Sequence, residues 1–175
     1  MNEVLEAIKN RRSIRRFKPD MIEQEKINQI VEAGLYAASG MNRQPVKILV
    51  IKNKEIRDKL SAQKQKIDGW RDGNDPFYGA PVVLVVIANK DEGTYIYDGS
   101  LVMGNLMLAA HAVGIGSCWI HRAKEAFELP EYKDFLKSLG IEGNWEGIGH
   151  CILGYPDGPE PKAPSRKENR VYYIN

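Results

Sequence analysis

Between Ala80 and Ala88 the chain passes through nine residues without one polar side chain, Ala-Pro-Val-Val-Leu-Val-Val-Ile-Ala. A membrane span needs about 20 such residues, so this run reads as a buried strand. A strand apolar on both faces belongs in the middle of a sheet with helices layered over it. Residues 46–51, 115–120 and 147–154 read as further strands, and residues 171–174 as a short last one. Apolar spacing predicts helices over residues 4–10, 22–38, 54–67, 96–112 and 130–139, with Gly40 ending the second. Strands and helices interleave, but only some connections alternate cleanly. An α+β sheet flanked by helices therefore fits better than a doubly wound parallel sheet.

The chain has 175 residues, 43% hydrophobic and 27% charged, with no repeat and no internal boundary, so residues 1–175 are expected to form one domain. A formal net charge of +2 is too small for general nucleic-acid binding, and no nucleic-acid partner is expected. The N-terminus has no basic stretch leading into an apolar core, so neither a signal peptide nor a membrane partner is expected. Two cysteines, Cys118 and Cys151, are too few for a disulfide scaffold. They point to the cytoplasm, with both thiols buried and inert. The histidines are scattered and give no metal-ligand spacing, so no metal site is expected. His111 and His150 read as core residues.

The densest local signal is Arg11-Arg12-Ser13-Ile14-Arg15-Arg16-Phe17, four arginines and one serine within seven residues. Guanidinium forks match phosphate oxygens, and a small hydroxyl can approach them closely. The segment is either an anion site or a solvated basic turn. Three more segments follow it in order. Ala38-Ser39-Gly40-Met41-Asn42-Arg43-Gln44-Pro45 lies before the first strand. Gly114-Ile115-Gly116-Ser117-Cys118-Trp119-Ile120 opens a later one. Gly154-Tyr155-Pro156 leads into a proline-rich arm carrying Lys162, Arg166 and Lys167. The chain has no Gly-x-Ser-x-Gly elbow and no Walker loop. The arm, residues 155–175, ends in β-prone residues and could add an edge strand to a partner subunit.

This ordered set resembles the nitroreductase family of FMN-dependent oxidoreductases, from about residue 3 to the C-terminus. The resemblance implies a mixed or antiparallel sheet flanked by helices, in a homodimer that exchanges its C-terminal arms. It implies that Arg11, Arg12, Ser13 and Arg15 bind the FMN phosphate and ribityl chain, with Arg166 and, more weakly, Lys167 adding charge. Ala38, Ser39, Gly40 and Asn42 would approach the flavin from the neighbouring subunit, and Gln44 would tie that loop down. Trp119, Ile120 and His121 would lie along the ring, a backbone N–H there donating to flavin N5. The sequence departs from the family at Ala38, where proline is common, at Val46, where an aromatic is, and at His121, where an acidic residue is frequent. It also has Pro164 where a basic residue is often found.

The implied chemistry is a ping-pong cycle. NAD(P)H gives a hydride to the flavin and leaves, and a nitroaromatic or quinone-like acceptor then takes it. No catalytic side chain is required. A small aromatic oxidant would stack on the flavin, and Trp70, Phe77 and Tyr78 would either shape that choice or anchor their loop to the core. Alternatives are a specialised reaction such as reductive dehalogenation, or a non-catalytic FMN store or redox sensor.

Overall fold

The structure, a computed structural model, describes residues 2–69 and 73–175. Trp70 lies outside the described residues. Four strands form one sheet in the order β1-β2-β4-β3: β1 Val46–Ile51, β2 Val82–Asn89, β3 Gly116–Ile120 and β4 Trp145–Gly154. All three ladders are antiparallel. β2 is central, as its composition requires, and the two faces of its apolar run divide between two cores. Val82, Leu84, Val86 and Ala88 face one core, and Val83, Val85 and Ile87 the other.

The first core is closed by α2 (Gln24–Leu35) and α4 (Tyr95–Ala112), through Ile27, Ile30, Val102, Met103 and Leu106. The second is closed by α3 (Lys54–Asp68), α5 (Ala123–Phe127) and α6 (Pro130–Ser138), through Leu60, Phe127 and Leu136, with Phe77 added from the loop before β2. Burial of each large apolar side chain contributes roughly 1.5–3 kcal/mol. No helix among the described residues is long and apolar enough to cross a membrane.

α1 (Glu3–Asn10) buries none of its residues, although it is amphipathic, and Val4, Leu5 and Ile8 stand exposed. α4 likewise leaves Ile96, Tyr97 and Leu101 uncovered.

Three expectations change. The second helix stops at Leu35 rather than running to Ala38, and Gly40 opens a 3-10 turn, Gly40–Asn42, instead of capping a helix. Its N–H donates to Asp98 Oδ1 at 3.0 Å and is lost to any helical carbonyl. α5 was not expected, because five residues are too few to carry a period. Residues 171–174 form no strand within the single chain, and Val171, Tyr172, Tyr173 and Ile174 are 69–97% exposed.

The loop before β2 is anchored in its second half. Asp75 accepts bonds from Arg57, from Ser61 (2.6 Å) and from the Phe77 and Gly79 N–H groups (2.9 and 2.6 Å). Phe77 is fully buried, which matches the anchoring role of the two left open above. Burial pushes the Asp75 carboxyl up, but the bonds from Arg57, Ser61, Phe77 and Gly79 outweigh it and hold the group below its usual range.

Candidate functional site

Asn2 caps α1, its Oδ1 accepting from the Val4 N–H at 3.0 Å, and the helix ends where Arg11 turns extended. The chain then runs along the start of β3. Ser13 bridges Ser117 in parallel, and the Ile14 N–H donates to the Ser117 carbonyl at 2.9 Å. Phe17 bridges Pro156, and the Lys18 N–H donates to the Tyr155 carbonyl at 2.9 Å. The arginine turn is thus pinned to the first residues of β3 and to the exit of β4.

The guanidinium groups differ in what they have left to give. Arg12 Nη1 donates to the carbonyls of Lys9 and Arg11 at 2.7 and 2.6 Å. Arg12 Nε and Arg11 Nη1 are buried with no hydrogen-bond partner among the described residues. Arg16 turns outward to Asp157 at 3.1 Å, and Arg15 is exposed. A cleft of about 260 Å³ opens beside Arg12, walled by Ile14, His111, Gly114 and Ser117. It meets a second hollow of about 250 Å³, lined by Ser13 and Arg15, at Ile14, Pro156 and Gly158. His111 was expected in the core and instead lines this cleft, half-buried, from the last turn of α4. Ser117 is the residue that sequence reasoning missed. It sits in an apolar strand, and only its pairing with Ser13 reveals a place in the site.

The segment 38–44 is built at the other end of α4. Ser39 Oγ accepts from the Gln44 N–H at 3.1 Å, and Gln44 Nε2 donates to Asn42 Oδ1 at 2.9 Å, so Gln44 does tie the loop down. Met41, Asn42 and Gln44 have φ of 51°, 55° and 50°, the left-handed region that costs a non-glycine residue roughly 1–2 kcal/mol. Buried Asp98 anchors the loop, accepting from the Gly40 N–H and from Thr94 Oγ1 at 3.0 and 2.8 Å. A Cβ on Gly40 would stand 2.4 Å from Thr94 Oγ1, so only glycine lets the turn sit this close. Asp98 gave no sequence signal, because an acidic residue in a first helical turn is ordinary.

At the far end of β3, Trp119 is half-buried, Ile120 is 8% exposed and His121 is exposed. Arg122 follows with φ 73° and turns the chain sharply into α5. That corner presses on β4: a Cβ at Gly147 would lie 2.2 Å from the Ala123 carbonyl oxygen.

One chain therefore brings together Arg11, Arg12, Ser13 and β3, but not residues 38–44. From Asp98, which holds that loop, to His111, which lines the cleft, α4 rises about 20 Å. Arg166 and Lys167 stand exposed in the arm without a hydrogen bond or ion pair among the described residues. Lys64, a cation of the loop-proximal region, is buried in an ion pair with Asp68 and does not face solvent.

The sequence profile of the Nitroreductase family matches residues 8–155. The chain belongs to the nitroreductase family. A nitroreductase with bound FMN from Bacteroides fragilis shares 29% identity and superposes with a TM-score of 0.90, each chain covered in full. A second with bound FMN, from Desulfitobacterium hafniense, shares 30% identity at a TM-score of 0.87, again over both full chains. The FMN reductase [NAD(P)H] of Bacillus subtilis is 26% identical over 200 residues, covering 98% of this chain and 73% of that protein. The α+β architecture expected of the nitroreductase resemblance, an antiparallel sheet between helical layers, is the one observed.

Proposed function

We propose that this nitroreductase-family chain is an FMN-dependent NAD(P)H oxidoreductase that reduces nitroaromatic or quinone-like acceptors by a ping-pong cycle, as a cytoplasmic homodimer. The observation that carries this reading is the pair of orphaned guanidinium nitrogens at Arg11 and Arg12. A buried charged donor without a partner costs about 1–3 kcal/mol or more, and a phosphate dianion is the acceptor that would satisfy two such donors at once. The two FMN-bound relatives support the choice of phosphate ester.

Arg11, Arg12, Ser13 and Arg15 would hold the phosphate and ribityl chain. From Ser117, beside them, to His121 an extended strand spans about 13 Å, a length over which the Trp119–His121 stretch would run along the ring. Its backbone N–H would donate to N5. The chemistry that FMN would supply there is hydride transfer between NAD(P)H and the acceptor.

The separation of the half-sites supports a dimer. Ala38, Ser39, Gly40 and Asn42 cannot reach the arginine turn of their own chain, whereas a second copy can present them there. The exposed apolar residues of α1, α4 and the tail are the surfaces such a copy would cover. The arm would cross to that copy and bring Arg166 and Lys167 to the phosphate. Steady-state kinetics with NADH or NADPH and a quinone test the cycle. Parallel double-reciprocal lines are expected, and intersecting lines would contradict the ping-pong assignment.

A further inference from the structure

The β3–β4 ladder ends at the pair Ile120 and His150. Past that point the backbone is the stretch assigned above to the flavin. His150 is fully buried, and its ring packs on Phe77 with centroids 5.2 Å apart. Its Nδ1 lies 3.3 Å from the Ile120 carbonyl oxygen. A carbonyl oxygen only accepts, so Nδ1 carries the proton and donates. Nε2 is then a bare lone pair, buried without a partner among the described residues. Burial holds the ring neutral, lowering its pKa to about 4 against the opposing pull of the Ile120 and His121 backbone groups. Lys64 and Asp68 of α3 act on it from the same side with opposite signs.

A half-satisfied histidine is an expensive way to fill a core position, where an apolar side chain would leave no orphaned nitrogen. What it provides is a partner for one carbonyl where the ladder stops. That carbonyl and the His121 N–H belong to a single peptide unit, planar and trans, so the two groups point in opposite directions. Turning the carbonyl toward His150 turns the N–H away from this core. The next residue, Arg122, is held in its left-handed corner by the seating of Ala123 on Gly147. The peptide is thereby held on both sides. A hydrogen bond at the carbonyl also polarises the N–H and strengthens it as a donor.

We propose that His150 is a positioning residue, fixing through its Nδ1–H bond the Ile120–His121 peptide whose N–H serves the redox-active edge of the flavin. The inference rests on the flavin reading given above. It requires His150 to be the neutral Nδ1–H tautomer.

Two variants isolate the bond. Asparagine places an amide donor where Nδ1 stands, and leucine places a methyl there with the same branching. In His150→Leu the His121 amide, measured without flavin, is expected to exchange with solvent at least tenfold more slowly, because its carbonyl loses the bond that polarises the N–H. The ratio of dissociation constants for oxidised and reduced FMN is expected to change at least tenfold, about 30 mV for a two-electron couple. His150→Asn is expected to stay within threefold of wild type in both. Equal effects in the two variants, or none in either, would overturn the proposal. If neither variant folds, the nitrogen-15 spectrum of wild-type His150 decides: the Nδ1–H tautomer from pH about 5.5 to 8 supports it, and the Nε2–H tautomer or a charged ring overturns it. Failure of wild type to take up FMN would instead overturn the flavin reading. The tautomer and exchange results do not depend on that uptake.

Discussion

The Ile14 N–H donates to the Ser117 carbonyl at 2.9 Å, and this bond joins the arginine turn to β3. Arg11, Arg12 and Ser13, assigned to the phosphate, lie just before it in the chain, and Trp119, Ile120 and His121, assigned to the ring, lie toward and just past the far end of the strand it meets. The backbone rather than any side chain sets the separation of the two ends of the site.

Arg11→Ala removes one of the two orphaned donors. A hydrogen bond to a charged group contributes about 1.5–3 kcal/mol, so FMN is expected to bind roughly 10- to 150-fold more weakly. Arg16→Ala is the contrast, since Arg16 is 72% exposed and paired outward with Asp157. It is expected to change FMN affinity less than about threefold, as exposed pairs contribute little. Quenching of flavin fluorescence measures both, and equal effects would remove the assignment of Arg11 to the phosphate.

Asp98→Ala frees the Gly40 N–H and the Thr94 hydroxyl. The loss of these bonds predicts about 1–3 kcal/mol of destabilisation, a fall in Tm of roughly 3–10 °C. Because the loop would face the partner's flavin, KM for the acceptor is also expected to rise. An unchanged Tm would mean that Asp98 does not hold the loop.

Asp75 predicts a pH dependence. Its carboxyl titrates below its ordinary value of 3.8 in the folded protein, so the unfolded chain binds the proton more readily. The stabilisation is fully present above about pH 4 and is lost as pH falls through the lower folded value. Asp75→Asn is expected to melt below wild type at pH about 7, with the gap narrowing as pH falls below about 4. A constant gap across that range in thermal melts would show that charge is not what Asp75 contributes.

Removal of residues 160–175 is expected to cost both dimerisation and retained FMN, because the arm is assigned to the partner and to its phosphate. Light scattering after size exclusion, with the visible spectrum of the same peak, reads both. A truncated chain that stays dimeric and yellow would refute the exchanged arm.

Much of this was legible in the sequence. The apolar run Ala80–Ala88 requires burial on both faces, and β2 has it. The arginine turn and the strand beside it follow from motif order. Asp98, Ser117 and His150 were opaque because each acts through a contact distant in sequence: with Gly40, with Ile14 and Ser13, and with Ile120. Lys64 and Arg57 are buried on a helix rich in charge, because Asp68 and Asp75 neutralise them. Helical period alone cannot distinguish a solvated lysine from a paired one.

The visible absorption spectrum of purified protein loaded with FMN, before and after anaerobic NADH or NADPH, tests the central claim most directly. Bound-flavin bands that bleach within one turnover of added pyridine nucleotide are the predicted result. A protein that takes up no FMN, or whose flavin stays oxidised with both nucleotides, would contradict it.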